Sequence, residues 1–499
     1  MTRERAFAIL AALLMAACAV GPDYKKPSAP VPAAYKEEQP PAGAAGADMA
    51  QWKPAEPRDD ANRGKWWEIF EDPELNDLEE QIDISNQNIA QAEAQFRGAR
   101  AAIRAARADF FPTVTASVSA TRSQGSTGGP AGSASSSAPV RPTTVYALPV
   151  NLSWEFDAWG RVRRGVEASV AGAQASAADL ETVRLSMHAE LALDYFVLRG
   201  VETEKQLLDA NVAAFEKAMQ MTMNRFKQGV VSGVDVAQAQ TQLETTRAQA
   251  TDLDVTRAQL EHAIATLIGK TPADFTLPPA PGLPEPPVIP VTLPSELLER
   301  RPDIAAAERR TAAANAQIGV ATSAFFPRLL LAASGGYETS RLADWFSLPS
   351  RFWSIGPALV ATLFDGGKRR AGVEQAQASY DAAVAVYRLD VLTSFQDVED
   401  SLATLRILAE EAAQQAAAVA AAERALTIAR NRYLAGTTTY LEVVTAQIIA
   451  LSNERTAVEI QTRRMTAAVN LIKALGGGWR ATDLPNVVSG LLRSRGLAR

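Results

Sequence analysis

The chain has 499 residues, of which 47% are hydrophobic and 21% charged, and its formal net charge at pH 7 is -6. This acidic balance excludes the basic surface of a nucleic-acid-binding protein. The two histidines, His188 and His262, are far apart in sequence, and the single cysteine, Cys18, allows no disulfide within the chain. We therefore predict no metal site and no cofactor other than a covalent lipid on Cys18.

The N-terminus predicts a lipoprotein signal peptide over residues 1–17. It has a basic start, a short apolar run from Ala6 to Ala17, and small residues before Cys18. The apolar run is too short to span a bilayer. The stretch around Cys18 resembles the lipobox of bacterial lipoproteins, with Met15 where Leu is usual. This resemblance implies that Cys18 becomes the lipidated first residue and that Ala19, in place of Asp, directs the chain to the outer membrane.

Residues 18–65 form a Pro- and Ala-rich stretch, which predicts an extended arm tied to the lipid. An apolar patch, Trp66 to Phe70, is predicted to dock this arm onto the body. Asp72 and Pro73 then predict a helix start, because Asp caps well and Pro is tolerated in the first turn. We expect that helix to run to about Asp109.

Residues 112–121 and 145–157 predict two β-strands, separated by a Gly-, Ser- and Pro-rich external loop. Alternate residues of the second strand are apolar: Tyr146, Leu148, Val150, Leu152, Trp154 and Phe156. The residues between them include the polar set Asn151, Ser153, Glu155 and Asp157. This alternation is typical of a membrane strand with one face toward lipid and one toward water.

A stretch without proline from Arg161 to Lys227 predicts one helix of roughly 100 Å. A globular domain has no room for such a rod, so an elongated fold is indicated. A shorter helix follows, in which Leu253, Leu260 and Leu267 recur every seven residues. That spacing is typical of a coiled coil.

The second half of the chain repeats the first. Phe110-Phe-Pro112 recurs 215 residues later as Phe325-Phe-Pro327, and Asn224-Arg-Phe226 recurs 207 residues later as Asn431-Arg-Tyr433. We infer an internal duplication. The predicted boundaries are 66–270 for the first repeat, 271–294 for a Pro-rich linker, 295–477 for the second repeat with strands 327–337 and 355–365, and 478–499 for a C-terminal tail.

Four strands cannot close a barrel, and an open sheet edge in lipid is forbidden. Pooling the strands of three chains gives twelve. The predicted fold is therefore an α+β membrane protein: a trimeric 12-stranded β-barrel, with four strands per chain, continued by a long α-helical coiled-coil tunnel.

Three segments, Cys18 to Tyr24, Leu297 to Ile304 and Asn431 to Gln447, resemble the TolC and OprM family of outer-membrane efflux channels, in its NodT-like lipoprotein branch. The resemblance implies a homotrimer in the outer membrane of a Gram-negative bacterium. It implies a passive exit duct for drugs or other small toxic compounds, which reach it from an inner-membrane resistance-nodulation-division pump through a periplasmic adaptor protein.

The same resemblance places two turns, 226–235 and 433–442, at the far periplasmic tip. Tyr433, Leu441 and Glu442 match the family's gate residues, whereas Thr445 stands where the family often has Asp, which reduces the acidic ring. The residues expected to contact the adaptor are Gly229, Ser232, Val234, Asp235, Gly436 and Thr439. Helix capping by Ser232 or Thr439 and left-handed glycines explain the same residues without a gate.

The sequence also bears on other classes of function. No convergent His, Cys or Gly-rich loop accompanies the candidate carboxylate pairs, which are Asp59, Asp60, Glu71 and Asp72, or Glu410 and Glu411, so we predict that the protein is not an enzyme. A duct for heavy-metal ions or for type I protein secretion, or a periplasmic coiled-coil scaffold, remains as an alternative. The alternating strands argue against the scaffold, and no Met or His cluster supports metal.

Overall fold

The computed structural model describes residues 19–37, 65–124, 141–280, 282–289 and 294–478. The predicted signal peptide, Cys18 and residues 479–499 of the tail lie outside these ranges. The described helices are α1 (Pro73–Ser85), α2 (Gln87–Ala108), α3 (Arg161–Lys227), α4 (Gly233–Leu267), α5 (Pro294–Arg300), α6 (Pro302–Ser323), α7 (Lys368–Leu434) and α8 (Tyr440–Ala474). The strands are β1 (Thr113–Ala116), β2 (Ser119–Ser123), β3 (Thr143–Phe156), β4 (Arg328–Thr339) and β5 (Arg351–Val360).

Within the described ranges, none of the helices combines the length and the apolar character needed to cross a membrane.

Six of the eight described helices occur in matched pairs of equal length. α2 and α6 each have 22 residues, α3 and α7 each have 67, and α4 and α8 each have 35. The first pair starts 215 residues apart and the other two start 207 residues apart, as the sequence offsets predict. The predicted helix from Arg161 to Lys227 is confirmed at both ends.

The single helix predicted from Asp72 to about Asp109 is wrong, because the chain breaks at Asn86. The Asn86 side chain accepts hydrogen bonds from the backbone N–H groups of Asn88 and Ile89 and thereby caps α2. Its Nδ2 also donates to the carbonyl of Leu267, at 2.8 Å. The second repeat breaks at the matching position, Arg301, whose Nη1 donates to the carbonyl of Ala474 at 3.3 Å. Each break therefore fastens one helix to the end of another.

The strands form one antiparallel sheet in the order β1/β2, β3, β4, β5. The predicted strand 112–121 is two segments, both paired with β3. The interruption lies opposite Pro149, which has no N–H to donate to the ladder. The other predicted bounds, 145–157 and 327–337, differ from β3 and β4 by two residues or fewer.

The predicted strand 355–365 is wrong, because β5 spans Arg351–Val360. Its register pairs Val360 with Arg328, the first residue of β4, and Arg351 with Tyr337. Residues beyond Val360 therefore extend past the start of β4 and have no strand to pair with, while the N-terminal end of β5 still has a partner.

The principal hydrophobic core lies where α1 packs on α3. The predicted apolar patch is buried in it, with Trp66 and Trp67 each only 2% exposed. Trp67 stacks on the ring of His188 at 4.4 Å between centroids, and Phe70 contacts Phe196 at 4.8 Å. The patch is thus part of the body itself, and its predicted docking of the arm concerns residues 38–64, outside the described ranges.

Candidate functional site

The sheet has two chemically different faces. Residues directly opposite in adjacent antiparallel strands share a face. One such row across the four strand positions is Val114, Leu152, Ala333 and Ile355; the next row but one is Ala116, Val150, Gly335 and Trp353. The row between them, on the other face, is Thr115, Asn151, Ser334 and Ser354. In these three rows the faces predicted from β3 continue across all four strand positions, one apolar and one of small polar residues.

Polar contacts follow the second face down to the helices. Ser334 Oγ donates to Asn151 Oδ1 at 2.7 Å. At the strand end, the Glu155 carboxylate accepts from Arg161 on α3 at 2.8 Å and from Arg328 on β4 at 2.6 Å. These ion pairs join the sheet to the long helix at the point where the chain passes from one to the other.

The described part of the N-terminal arm begins at this junction. The Val20 N–H donates to the carbonyl of Trp159 at 3.0 Å. Arg164, which is 5% exposed, lies against the same segment and pairs with Asp23 at 2.9 Å. Residues 20–23 of the arm therefore lie beside the junction of the sheet and α3.

The remaining arm follows the helices away from the sheet. Arg388 on α7 donates to the carbonyl of Ser28 at 3.1 Å, and Glu399 accepts from the Lys36 N–H at 2.7 Å. Tyr35 is buried in a cluster with Leu297 and Phe395. Backbone and side-chain contacts thus hold the described part of the arm against the helices, without helix or strand of its own.

The two turns at the other end of the long helices have equivalent geometry. Gly229 and Gly436 adopt φ of 74° and 75°, the left-handed conformation that favours glycine. Ser232 caps α4 in a reciprocal capping box with Asp235. The predicted cap by Thr439 is wrong, because its side chain makes no capping hydrogen bond to α8.

Most residues predicted to contact an adaptor lie on the surface of these turns. Those exposed are Gly229, Ser232, Val234, Gly436 and Thr439. Asp235 is half-buried, since its carboxylate accepts from the Ser232 N–H at 2.9 Å. The set therefore forms an accessible surface in the chain, and its partner stays a prediction.

The predicted gate residues separate into two environments. Tyr433 is 6% exposed and packs with Tyr440, Val443 and Ala239 between the α3–α4 hairpin and the α7–α8 hairpin. Its ring lies 5.2 Å from that of Tyr440. Tyr433 therefore joins the two hairpins of its own chain.

Leu441, Glu442 and Thr445 instead line an open groove between α7 and α8, with a volume of about 540 Å³. Leu441 is 55% exposed. Glu442 pairs with Arg432 at 3.3 Å. The structure thus brings three of the four predicted gate residues together and leaves Tyr433 on the opposite side of the hairpin.

Sequence reasoning missed the cation that holds Tyr433. The guanidinium carbon of Arg225 lies 4.5 Å from the centre of the Tyr433 ring, and its Nη1 donates to the Tyr433 carbonyl at 3.3 Å. The available signal was the duplication, since Asn-Arg-aromatic occurs at both helix ends. It marks an arginine beside an aromatic residue in each repeat.

Sequence reasoning also missed a buried imidazole–carboxylate pair. His188 Nδ1 and Glu79 Oε2 are 2.7 Å apart, and both side chains are almost fully buried. Burial raises the pKa of Glu79 to about 7, against the opposing effect of His188. Among the described residues no group of three or more His, Cys, Asp or Glu is arranged to hold a metal ion.

Comparisons with known proteins agree with this geometry. The family described as outer membrane efflux protein matches residues 78–270 and 293–477, which correspond to the two repeats. The outer membrane protein OprJ of Pseudomonas aeruginosa is 32% identical over 476 residues, covering 95% of this chain and 95% of OprJ. The probable efflux pump outer membrane protein TtgC of Pseudomonas putida is 30% identical over 481 residues, covering 96% of each chain.

A solved structure of the outer-membrane channel OprN is similar to this chain with a TM-score of 0.79 and 32% identity, covering 93% of this chain and 100% of that one. The resemblance inferred from the sequence motifs is therefore confirmed. The chain belongs to the outer membrane efflux protein family, whose members are channel proteins and not enzymes.

Proposed function

We propose that the protein is the outer-membrane duct of a tripartite efflux system, working as a homotrimer. The observation that carries this proposal is the sheet: its central rows separate an apolar face from a face of small polar residues, and among the described residues β1/β2 and β5 each leave one edge open. In lipid each open edge must find a partner. Four strand positions from each of three copies would close a 12-stranded barrel with the apolar face toward lipid and the polar row toward water.

The element lengths support the same arrangement. β3, β4 and β5 have 14, 12 and 10 residues, and about 9–11 tilted residues cross a bilayer. α3 and α7 leave the sheet as helices of 67 residues each, about 100 Å long. Three copies would surround a periplasmic tunnel that continues the bore of the barrel.

The duct itself would be passive. TtgC is named as an efflux pump outer membrane protein. By analogy, we assign to this chain an inner-membrane pump of the resistance-nodulation-division type, a periplasmic adaptor that meets the exposed turns at Gly229 and Gly436, and drugs or other small toxic compounds as cargo. The pump would supply the energy.

A lipid on Cys18 would anchor the assembly. This assignment is supported by the contacts of Val20 with Trp159 and of Arg164 with Asp23, which hold residues 20–23 beside the junction of sheet and helix. That position is where the outer membrane would end, so an acyl chain on Cys18 would reach the inner leaflet without extending the arm.

The tip would form the gate. In this assignment Tyr433 keeps the second hairpin against the first, whereas the exposed Leu441, Glu442 and Thr445 belong to the surface that closes the tunnel. With Thr at position 445, the carboxylate of this surface is Glu442, and it is already paired with Arg432.

Single-channel conductance in a planar bilayer tests the proposal. The purified wild-type protein should give small, flickering conductance, and the Tyr433→Ala, Leu441→Ser double variant should give large, stable conductance. Absence of conductance in both proteins, each shown to be folded by circular dichroism, would mean that the strands do not form a pore.

A further inference from the structure

The open groove between α7 and α8 has a filled counterpart in the first repeat. Its α7 side includes Ala422, Ala429 and Arg432, and its α8 side includes Ala446 and Ile449. Subtracting the repeat offset of 207 residues gives the matching positions in α3 and α4: Phe215, Thr222, Arg225, Ala239 and Gln242. The two grooves are the same surface of the repeated hairpin.

In the first repeat this surface is covered by the chain's own second hairpin. Thr222 is 1% exposed and Ala239 is 2% exposed. Tyr433 and Tyr440 lie against Ala239, with Arg225 beneath the Tyr433 ring. No such cover exists for the second repeat within the described part of this chain, where Ile428 and Ile449 are 59% and 50% exposed.

The first repeat carries an aromatic residue at the position equivalent to Tyr433, and such a residue can cover the groove of the second repeat. Tyr433 corresponds to Phe226, which is 45% exposed although it ends an otherwise equivalent helix. Arg225 corresponds to Arg432, which lies at the open groove. Within the described part of the chain, Phe226 of the first repeat therefore has no groove to occupy, and the groove of the second repeat has no aromatic side chain that covers it.

We propose that Phe226 of a second copy of this chain occupies the groove between α7 and α8, with its ring over Arg432. This contact would repeat between copies the relation that Tyr433 and Arg225 make within one. The inference rests on the proposed homotrimer and assigns the residues that join its protomers at the tip. Aromatic burial and a cation–π contact would both favour it.

Two contacts at the tip would differ in strength: the seam within a chain, where Tyr433 packs against the first hairpin, and the seam between copies, where Phe226 would occupy the groove. Tyr440, the second ring of the seam within a chain, corresponds to Gly233, so the seam between copies would hold one aromatic ring where the other holds two. Because each buried aromatic side chain contributes much of the contact energy of an interface, the seam between copies would be the one that separates first when the tip opens.

Paired cysteines in the full-length protein test the contact. Phe226→Cys with Ala446→Cys should cross-link between copies under a short bismaleimide and give dimer and trimer bands on a denaturing gel. The matched control, Tyr433→Cys with Ala239→Cys, has the same positions one repeat away and should stay at monomer size. The wild-type protein, with Cys18 alone, should give no bands above the monomer.

Glutaraldehyde cross-linking of the same samples tests the trimer separately from the groove contact. A glutaraldehyde trimer without bismaleimide bands from the Phe226→Cys, Ala446→Cys variant would overturn the groove contact and leave the trimer intact. A monomer in both assays would overturn the trimer itself.

Labelling distinguishes an adaptor as the occupant. In trimers of the Ile449→Cys variant, a fluorescent maleimide should react much more slowly than after dissociation in detergent. Equal rates would show that the groove is open in the trimer, and subsequent protection by added adaptor would assign the groove to that partner instead.

Discussion

The guanidinium carbon of Arg225, at the end of the first long helix, lies 4.5 Å from the ring centre of Tyr433, at the end of the second. These residues join the two helical hairpins of one chain. The Tyr433 hydroxyl is buried and has no hydrogen-bond partner among the described residues. The ring, rather than the hydroxyl, therefore makes the contact.

Replacing Tyr433 by Ala should loosen the tip and raise the leak of large antibiotics across the outer membrane. The change removes a cation–π contact of about 1 kcal/mol and the burial of a large ring, about 3–5 kcal/mol in a well-packed site. Tyr433→Phe should behave as wild type because it keeps the ring. Antibiotic susceptibility and uptake measure the leak, and equal uptake in Tyr433→Ala and Tyr433→Phe would contradict this role.

Stability should fall on replacing Gly476 by Ala. Gly476 has a φ of 90°, and a Cβ there would lie 2.2 Å from the backbone oxygen of Arg300. Gly366→Ala is the matched control, since Gly366 also has a positive φ, 63°, and no atom within 4 Å of its Cβ position. The control should lose only the backbone preference, about 1–2 kcal/mol, and Gly476→Ala should lose more in thermal unfolding. Equal melting temperatures would show that the close approach is relieved.

Stability should fall as the pH rises from 5 to 8, because of the buried pair of Glu79 and His188. Burial raises the pKa of Glu79 from 4.5 to about 7. Burial alone would lower the pKa of His188, but its hydrogen bonds to Asp83 and Glu79 outweigh that effect and raise it. Both groups bind protons more tightly in the folded chain than in the unfolded one, so deprotonation through the folded pKa removes stability.

The expected loss over this window is on the order of 1–3 kcal/mol. Asp83 has the opposite sign, since hydrogen bonding to His188 lowers its pKa, and its contribution is lost only at acid pH below this window. Thermal unfolding from pH 5 to pH 8 measures the slope. Glu79→Gln keeps a hydrogen-bonding side chain and should flatten it; an unchanged slope in that variant would assign the dependence to other groups.

Opposite faces of β3 should respond differently to a charge. Asn151 lies on the polar row with Ser334, and its neighbour Leu152 lies on the apolar row with Val114. Asn151→Lys should insert normally and shift the ion selectivity of the channel toward anions. Leu152→Lys should impair insertion, since a lysine facing lipid near mid-membrane costs about 2–4 kcal/mol. Membrane fractionation and reversal potentials report the two effects; the reverse outcome would invert the assigned faces.

Replacing Cys18 by Ala should leave the chain unacylated. Cys18 is the only cysteine, so labelled fatty acid should be incorporated in the wild type and absent from the variant. Metabolic labelling followed by mass spectrometry of the N-terminal peptide gives the answer. Fatty acid that persists on the variant would place the modification elsewhere.

The sequence alone determined the faces of a strand, the length of the first long helix and the internal duplication, because each of these appears as a pattern along the chain. Alternation of apolar and polar residues from Val150 to Phe156 determined the faces of β3, and the absence of proline between Arg161 and Lys227 determined one continuous helix. Recurrence of Phe110-Phe-Pro112 and of Asn224-Arg-Phe226 at constant offsets determined the duplication. Each of these is a local periodicity or a repeat, which can be read from the sequence without knowing which residues meet in the folded chain.

Tertiary structure decided everything that depends on a partner distant in sequence. Asn86 caps α2 through the neighbouring N–H groups of Asn88 and Ile89, but its hydrogen bond to the carbonyl of Leu267 is a contact that no local pattern encodes. β5 ends at Val360 because β4 offers partners only from Arg328 onward.

The same reason separates Tyr433 from Phe226. The two residues have equivalent positions in the repeated sequence, yet one is buried and the other half exposed. Only packing of the second hairpin on the first makes them different, since hydrophobic burial depends on which surfaces meet in space and not on the spacing of residues along the chain.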